Sequence, residues 1–244
     1  MKFSSLVPSV IAAAGIAVAM SSFSPASAFS VGGSSVTGIT NSDVGSEFTV
    51  NFDGNVETQN VNGLSSNAVF TLNSFANGIA EFAIKLTNTS SNGIGSRVSV
   101  LGFDTSPNLN SAGASGLFDK AALNGSLPNQ FGDIDVCFKG GGGPNNCQGG
   151  GGAGVFDGNM GTFAATLNFG SNVSSFDLSN FGVRYQSIDG NGFNGASGTG
   201  QGTPVVPGTP NEPVPEPLTI LGSATALGIG GLLKRQQSKK NNKA

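Results

Sequence analysis

Histidine and tryptophan are absent from this chain of 244 residues, tyrosine occurs once, and only 10% of the residues are charged. The absence of histidine excludes His-dependent nucleophilic triads and imidazole metal sites. The absence of tryptophan removes the ring on which sugar-binding modules commonly stack their ligand. Carboxylates and hydroxyls are the groups left for catalysis. They form no recognisable catalytic motif here, so we predict that the protein is not an enzyme.

Charge is also missing from two long runs, one near each end of the chain. Near the start, Lys2 precedes the apolar residues 6–20, and Ala26-Ser27-Ala28 follows soon after. A basic start, an apolar core and an Ala-x-Ala site are the three parts of a secretory signal peptide. We therefore expect export, with residues 1–28 removed by signal peptidase after Ala28. The alternative is a permanent N-terminal anchor.

The second uncharged run, residues 218–233, is followed by Lys234, Arg235 and further lysines. As a helix, its sixteen residues would span roughly 24 Å, slightly less than a hydrocarbon core of ~30 Å. It contains four glycines, and each costs about 1 kcal/mol in a helix interior, which disfavours a buried soluble helix. We expect a transmembrane helix at 218–233 and, by the positive-inside rule, a cytoplasmic basic end at 234–244.

Val214-Pro215-Glu216-Pro217 stands directly before this run. The order of Pro-Glu-Pro motif, apolar span and basic end resembles the PEP-CTERM sorting signal of exported bacterial proteins, here residues 214–244. The resemblance implies cleavage near this motif by an exosortase-type transpeptidase. It also implies transient anchoring in the inner membrane, followed by delivery to the cell envelope, the cell surface or the extracellular space. An uncleaved single-pass anchor is the alternative.

A second resemblance lies in the interior of the chain. Residues 176–188 and 195–200, together with the glycine-rich loop between Cys137 and Cys147, are similar to cyanobacterial-type PEP-CTERM surface proteins of the group called cistern. This resemblance implies a secreted β-rich domain and assigns no site residues.

The expected exported segment, residues 29–217, holds five basic and all fourteen acidic residues, which gives it a net charge of −9. Its 189 residues suffice for one domain. An acidic surface repels nucleic acid and anionic lipid. The expected partners are the export machinery, signal peptidase and the transpeptidase, with extracellular polysaccharide as a further candidate. No cofactor is predicted, with calcium as the alternative.

Cys137 and Cys147 are the only cysteines. In an exported chain an even pair is most simply a disulfide, which here closes a glycine-rich loop and stabilises the fold by about 2 to 3 kcal/mol. The disulfide either only restrains this loop or holds it in place as a binding loop.

Apolar and polar residues alternate with a period of two in several runs, as in half-buried strands. The predicted strands are residues 47–52, 68–72, 79–87, 97–101, 134–138, 161–169, 175–178 and 182–188. Asn77-Gly78 predicts a hairpin turn. We expect an antiparallel β-sandwich over residues 29–202 with phenylalanine as its main core filler. A β-helix or another solenoid is the alternative.

Composition predicts the remaining segments. Residues 117–123 have the pattern of one or two helical turns. The glycine-rich residues 140–154 and 190–202 should be mobile loops, because glycine loses the most backbone entropy on ordering. Residues 203–213 form a Pro-rich linker between the domain and the sorting signal.

Three groups of polar residues are candidate sites. Asp-Gly-Asn occurs at residues 53–55, 157–159 and 189–191, and its oxygens could bind calcium, although hairpin turns favour the same residues. Asp133 and Asp135 share a strand face and could act as a hydrolase pair or keep a strand edge soluble. Arg184-Tyr185-Gln186 could bind sugar, or Tyr185 could pack at the rim of the sheet.

The function predicted from these observations is that of an exported structural protein of the cell surface or of an extracellular polysaccharide matrix. The alternative is a surface module that binds glycan or calcium.

Overall fold

The structure, a computed structural model, describes residues 29–141, 146–149 and 152–206. The predicted signal peptide, the part of the predicted linker beyond Val206, the predicted sorting signal and the transmembrane helix expected within it all lie outside the described residues. Within them, fifteen β-strands accompany one 3₁₀ turn (Asn41–Asp43). No helix in these ranges is long and apolar enough to cross a membrane.

The strands are numbered in chain order and differ widely in length. They are β1 (Ser30–Gly32), β2 (Ser35–Thr40), β3 (Glu47–Phe52), β4 (Asn55–Val56), β5 (Gln59–Asn60), β6 (Ser66–Ala76), β7 (Ile79–Asn88), β8 (Gly95–Ser106), β9 (Ser111–Gly116), β10 (Lys120–Leu127), β11 (Gly132–Lys139), β12 (Val155–Phe156), β13 (Met160–Asn168), β14 (Ser175–Gly190) and β15 (Phe193–Val205).

These strands pair antiparallel and form one continuous sheet in the order β10-β11-β8-β14-β15-β3-β6-β7-β13-β9, with the short strands attached at its margins. The end strands β9 and β10 touch, so the sheet nearly closes into a barrel. The predicted all-β antiparallel fold is confirmed. The two layers expected of a sandwich are joined here, because β15 pairs with β14 through residues 193–201 and with β3 through residues 202–205.

Phenylalanine rings fill the interior of this sheet. Phe48 and Phe70 stack with ring centroids 4.8 Å apart, and Phe181 meets them edge-on at 6.1 and 5.8 Å. Phe82 and Phe103 both pack edge-on against Phe70, and all five side chains are at most 2% exposed. Aromatic pairs of this kind contribute about 0.5 to 1.5 kcal/mol each beyond the burial of their surface. The predicted role of phenylalanine as core filler is confirmed.

Each predicted strand lies within an observed strand, except that the strand predicted at residues 161–169 runs one residue past the end of β13. Residues 47–52 coincide with β3. Asn77 and Gly78 both have positive φ and make the β6–β7 turn, as predicted. The helical turns predicted at residues 117–123 are wrong, because this segment leads into β10. Phe118 is fully buried, 5.0 Å from the Phe163 ring, so tertiary packing overrides the local pattern.

The loop predicted at residues 190–202 is also wrong, since most of it belongs to β15, between β14 and β3. Its glycines are needed for close approach of neighbouring backbone. A Cβ on Gly198 would lie 2.4 Å from the carbonyl oxygen of Asn55, and one on Gly200 would lie 2.1 Å from that of Asp53. The strand continues to Val205, within the predicted linker.

The predicted disulfide between Cys137 and Cys147 is present, with Cα atoms 5.7 Å apart. It belongs to a second, smaller buried cluster, separate from the phenylalanine core. The other buried members of this outer cluster are Val100, Ala122, Leu127 and Ile134. Gly125 provides space for the bridge, because a Cβ there would lie 2.3 Å from the Cys147 sulfur.

The glycine-rich segment 140–154 is described at residues 140–141, 146–149 and 152–154, and two basic side chains contact it there. The Arg97 guanidinium donates a hydrogen bond to the Ala153 carbonyl. The Lys139 ammonium donates to the Asn146 side-chain oxygen at 2.9 Å. Burial lowers the pKa of both basic groups. Two cationic donors and the disulfide therefore hold the described residues of this segment, at Ala153, Asn146 and Cys147.

Replacing Gly200 with alanine should destabilise the fold by about 1 to 3 kcal/mol, because the added Cβ overlaps the Asp53 carbonyl. Gly32→Ala is the matched control: a Cβ there meets nothing within 4 Å, so its effect should stay within about 0.5 kcal/mol. Guanidinium unfolding of the disulfide-bonded proteins measures both. Equal midpoints for the two variants would contradict the packing role of the β15 glycines.

Candidate functional site

The residues predicted to act in export and sorting lie outside the described residues. They are Ala26 and Ala28 at the signal cleavage site, residues 214–217 of the Pro-Glu-Pro motif, and the basic Lys234 and Arg235. Their roles stay predictions.

In each of the three Asp-Gly-Asn segments, the aspartate carboxylate accepts a hydrogen bond from a backbone N–H group. The carboxylate of Asp53 accepts a hydrogen bond from the Gln201 backbone N–H at 2.7 Å, and that of Asp157 accepts from the Ser96 N–H at 3.2 Å. Asp189 accepts from the Gly195 N–H at 2.9 Å, within the β14–β15 hairpin. Among the residues that the structure describes, no group of three His, Cys, Asp or Glu side chains could hold a metal ion.

Asp133 and Asp135 line a cleft of about 320 Å³ together with Asp104. The Asp135 carboxylate accepts a hydrogen bond from the Thr105 N–H at 2.9 Å. The Asp104 carboxylate accepts from the Asp135 N–H at 3.0 Å and from the Asn180 side-chain amide at 2.9 Å. These bonds tie β8 to β11 and β14. Strand pairing therefore explains Asp104 and Asp135 without a hydrolytic role.

Tyr185 cannot contact sugar, so the part of the candidate interpretation that concerns Tyr185 is wrong. Its side chain is fully buried, and its hydroxyl lies 2.8 Å from the Ser66 hydroxyl oxygen. Burial raises the pKa of the phenol well above its ordinary value. The neighbouring Gln186 accepts a hydrogen bond from the Arg97 guanidinium at 3.1 Å, on the opposite face of the strand from Tyr185. Rim packing of Tyr185 is excluded for the same reason, since its ring lies in the core.

A different polar cleft, which we call the amide cleft, has a volume of about 330 Å³ and collects residues from three separate parts of the chain. Its lining contains one carboxylate, two hydroxyls, five side-chain amides and one aromatic ring. The lining residues are Asp53, Asn55, Thr58, Asn60, Asn129, Gln130, Phe131, Thr199 and Gln201.

Strand register places the amides of the cleft side by side. Asn55 of β4 pairs with Asn60 of β5 on one side and with Thr199 of β15 on the other. Paired residues of antiparallel strands project to the same face of a sheet. The side-chain amides of Asn55 and Asn60 lie 3.5 Å apart. A row of short polar groups thus forms one wall of the cleft.

Two tight turns close the cleft, and both hold non-glycine residues at positive φ. Glu57 and Thr58, between β4 and β5, have φ of 49° and 69°, and Asn129 and Gln130, between β10 and β11, have φ of 57° and 64°. Such turns ordinarily use Asn-Gly or Asp-Gly, and a β-branched threonine in this region is uncommon. Unfavourable backbone conformations of this kind cost about 1 to 3 kcal/mol each and cluster at functional sites.

Phe131 supplies the aromatic surface of the cleft and connects it to the disulfide. Its half-buried ring packs against the outer cluster that contains Cys137 and Cys147. Gly182 of β14 leaves room for it, since a Cβ there would lie 2.4 Å from the Cζ atom of the ring. The disulfide therefore supports a cleft residue, although neither cysteine lines the cleft.

The amide cleft suits a neutral ligand that carries many hydroxyl groups. Side-chain amides both donate and accept hydrogen bonds, the Asp53 carboxylate accepts, and the Phe131 ring offers an apolar face. The sequence indicated only part of this site: Asp53 and Asn55 belong to the first Asp-Gly-Asn segment, whereas the other lining residues are common surface types without a characteristic spacing. The turn residues Glu57-Thr58 and Asn129-Gln130 are unusual at positive φ, and their backbone angles become known only in the fold.

Comparison of the chain with protein-family models, with curated proteins and with solved structures finds no match. The cleft is therefore interpreted from its own geometry and chemistry.

Tyr185 should remain protonated in the folded protein well above its ordinary pKa of about 10. A raised pKa means that its contribution to stability is intact below about pH 10 and is lost as the pH rises further. The chain has one tyrosine and no tryptophan, so phenolate absorbance reports Tyr185 alone. In an alkaline titration we expect phenolate to appear only together with the loss of the β-sheet circular dichroism. A phenolate step that precedes unfolding would contradict the buried position.

Proposed function

We propose that the protein is exported and acts as a structural component of the cell surface or of an extracellular polysaccharide matrix, to which it binds through the amide cleft. The observation that carries the proposal is the cleft itself, with five amides, one carboxylate and one aromatic ring facing a common space of about 330 Å³. The export half of the proposal rests on the sequences of the two chain ends.

Three properties of the described domain support a role outside the cell. The Cys137–Cys147 disulfide is of the kind that persists in oxidising compartments. The described part of the segment 140–154 is held by cationic donors rather than left free. The phenylalanine core and the nearly closed sheet leave few unpaired strand edges, which limits edge-to-edge aggregation at high local concentration. A matrix component benefits from each of these properties.

A neutral polysaccharide is the ligand class that the cleft favours. Acidic polymers would meet a domain whose charge is strongly negative, whereas hydroxyl groups match the amide donors and acceptors. A sugar ring has an apolar face that can lie on Phe131, as aromatic rings in binding sites commonly allow. Displacing water from a wall of amides gains little unless each amide regains a hydrogen bond. We therefore expect modest affinity per site, which repeated units along a polymer would raise by avidity.

Processing of both ends tests the export half of the proposal. We expect intact-mass spectrometry of the protein from cells and culture medium to show a chain that begins at Phe29, ends near Pro217 and contains one disulfide. Ala28→Leu should retain the leader, because the Ala-x-Ala site needs small residues at its outer positions, whereas Ser27→Leu is the control that should be cleaved normally. If residues 218–244 persist in the purified protein, it is a membrane-anchored protein and the transpeptidase step is wrong.

Polysaccharide binding tests the cleft. In native gels that contain a soluble neutral polysaccharide, tried as a panel of dextran, laminarin and galactan, at least one polymer should retard the exported protein. Asn60→Ala and Gln201→Ala should each weaken retardation about threefold to tenfold, since each removes a hydrogen-bonding group. Gln59→Ala is the matched control for Asn60, because Gln59 lies beside it in β5 but does not line the cleft.

Two outcomes of this assay would contradict cleft binding. One is the absence of retardation with every polymer of the panel, and the other is an equal loss in Gln59→Ala and Asn60→Ala. Running the same gels with calcium chloride and with a chelator tests the calcium alternative, which predicts retardation only when calcium is present.

A further inference from the structure

The first described residue, Phe29, is anchored in the domain at a buried carboxylate. The backbone N–H of Phe29 donates a hydrogen bond to Oδ1 of Asp43 at 3.2 Å. Asp43 is fully buried, and its Oδ2 accepts hydrogen bonds from the Thr40 backbone N–H at 2.8 Å and from the Thr40 hydroxyl at 2.9 Å. Thr40 and Asp43 form the capping box of the 3₁₀ turn, which fixes the carboxylate in place.

The Phe29 side chain is anchored in the domain as well. It is 7% exposed and belongs to the phenylalanine core, with its ring centroid 5.8 Å from that of Phe48 in an edge-on contact. From Phe29 the chain enters β1, which pairs with β2, and β2 pairs with β14. The backbone nitrogen of Phe29 is therefore positioned from two directions, by its ring in the core and by the strand that follows it.

We propose that Asp43 is the binding site for the new N-terminus that signal-peptide cleavage creates. In that reaction water hydrolyses the peptide bond between Ala28 and Phe29: Ala28 leaves with the signal peptide as a carboxylate, and the Phe29 nitrogen gains protons to become an α-ammonium group. The amide donor 3.2 Å from Oδ1 of Asp43 is thereby replaced by a cation with three N–H donors. This inference rests on the proposed export. It adds that cleavage of the signal peptide contributes a charged interaction to the folded domain.

The physical gain comes from charge at a buried site. A hydrogen bond between ionised partners is stronger than one between neutral groups, and water screens the pair little because Asp43 is buried. Thr40 already orients the Asp43 carboxylate, so binding of the ammonium requires no reorganisation of this side chain. In the unprocessed chain the same nitrogen is a neutral amide. Cleavage after Ala28 therefore removes the leader and, in addition, stabilises the mature domain.

A double-mutant cycle on the exported protein tests the pairing. A glycine inserted between Ala28 and Phe29 moves the new ammonium one residue away from Asp43, and the insertion is made in the natural sequence, in Asp43→Asn and in Asp177→Asn. Asp177 is the matched control, because its carboxylate accepts a backbone N–H, from Gly38 at 2.7 Å, but does not contact Phe29. Intact mass confirms the first residue of each protein. Pulse proteolysis then measures the unfolded fraction of each exported protein.

We expect the inserted glycine to raise the unfolding equilibrium constant about tenfold, or 1.4 kcal/mol, in the natural sequence and in Asp177→Asn. In Asp43→Asn the insertion should change the constant less than about twofold, because the charged partner is already gone. An equal loss in all three backgrounds overturns the pairing.

A chemical measurement covers the case in which Asp43→Asn does not fold. The α-amine of Phe29 should react with an amine-acylating reagent at least about tenfold more slowly in the folded protein than the α-amine of the glycine-inserted protein. Equal reaction rates overturn the proposal. A first residue other than Phe29 overturns the expected processing and this inference together, whereas a chain that begins at Phe29 without coupling to Asp43 overturns this inference alone.

Discussion

The phenylalanine core is the constraint on which the rest of the structure depends. Phe48, Phe70, Phe82, Phe103 and Phe181 come from five different strands and meet within ring-centroid distances of 4.8 to 6.4 Å. Strands that all contribute to one aromatic cluster must surround it, which curves the antiparallel sheet until its end strands touch. The glycines of β15 permit this curvature, because they let the strand approach its neighbours closely while it passes from β14 to β3.

Hydrogen bonds from aspartate to backbone N–H groups fasten the connections around this core. Asp53, Asp157, Asp177 and Asp189 each accept such a bond. A chain with few basic residues has few cationic partners for its carboxylates, and backbone N–H groups at turns and strand ends are the donors that remain. This use of aspartate accounts for the recurring Asp-Gly-Asn segments. It also explains why acidic residues are poor indicators of catalysis or metal binding in this protein.

The amide cleft arises where the outer cluster meets the margin of the sheet. The disulfide belongs to the outer cluster, Phe131 packs against this cluster, and Phe131 lines the cleft beside two turns with unfavourable backbone angles. The stabilising bridge and the candidate binding surface are thus connected through one ring. In the same way, Phe29 contacts both the buried Asp43 and the core, so both proposals, binding and maturation, rely on residues that also hold the fold together.

The strand class, most strand positions, the disulfide and the aromatic core could be predicted from the sequence, because alternation with period two, turn pairs such as Asn77-Gly78 and a lone cysteine pair are local signals. Prediction from the sequence failed where long-range packing determines the structure. Glycine-rich residues 190–202 form a strand because neighbouring carbonyls leave no space for a Cβ, and Tyr185 lies in the core rather than at the surface. Only the tertiary structure brings Asp53, Asn60, Asn129 and Gln201 together, because a site assembled from distant turns leaves no spacing in the sequence.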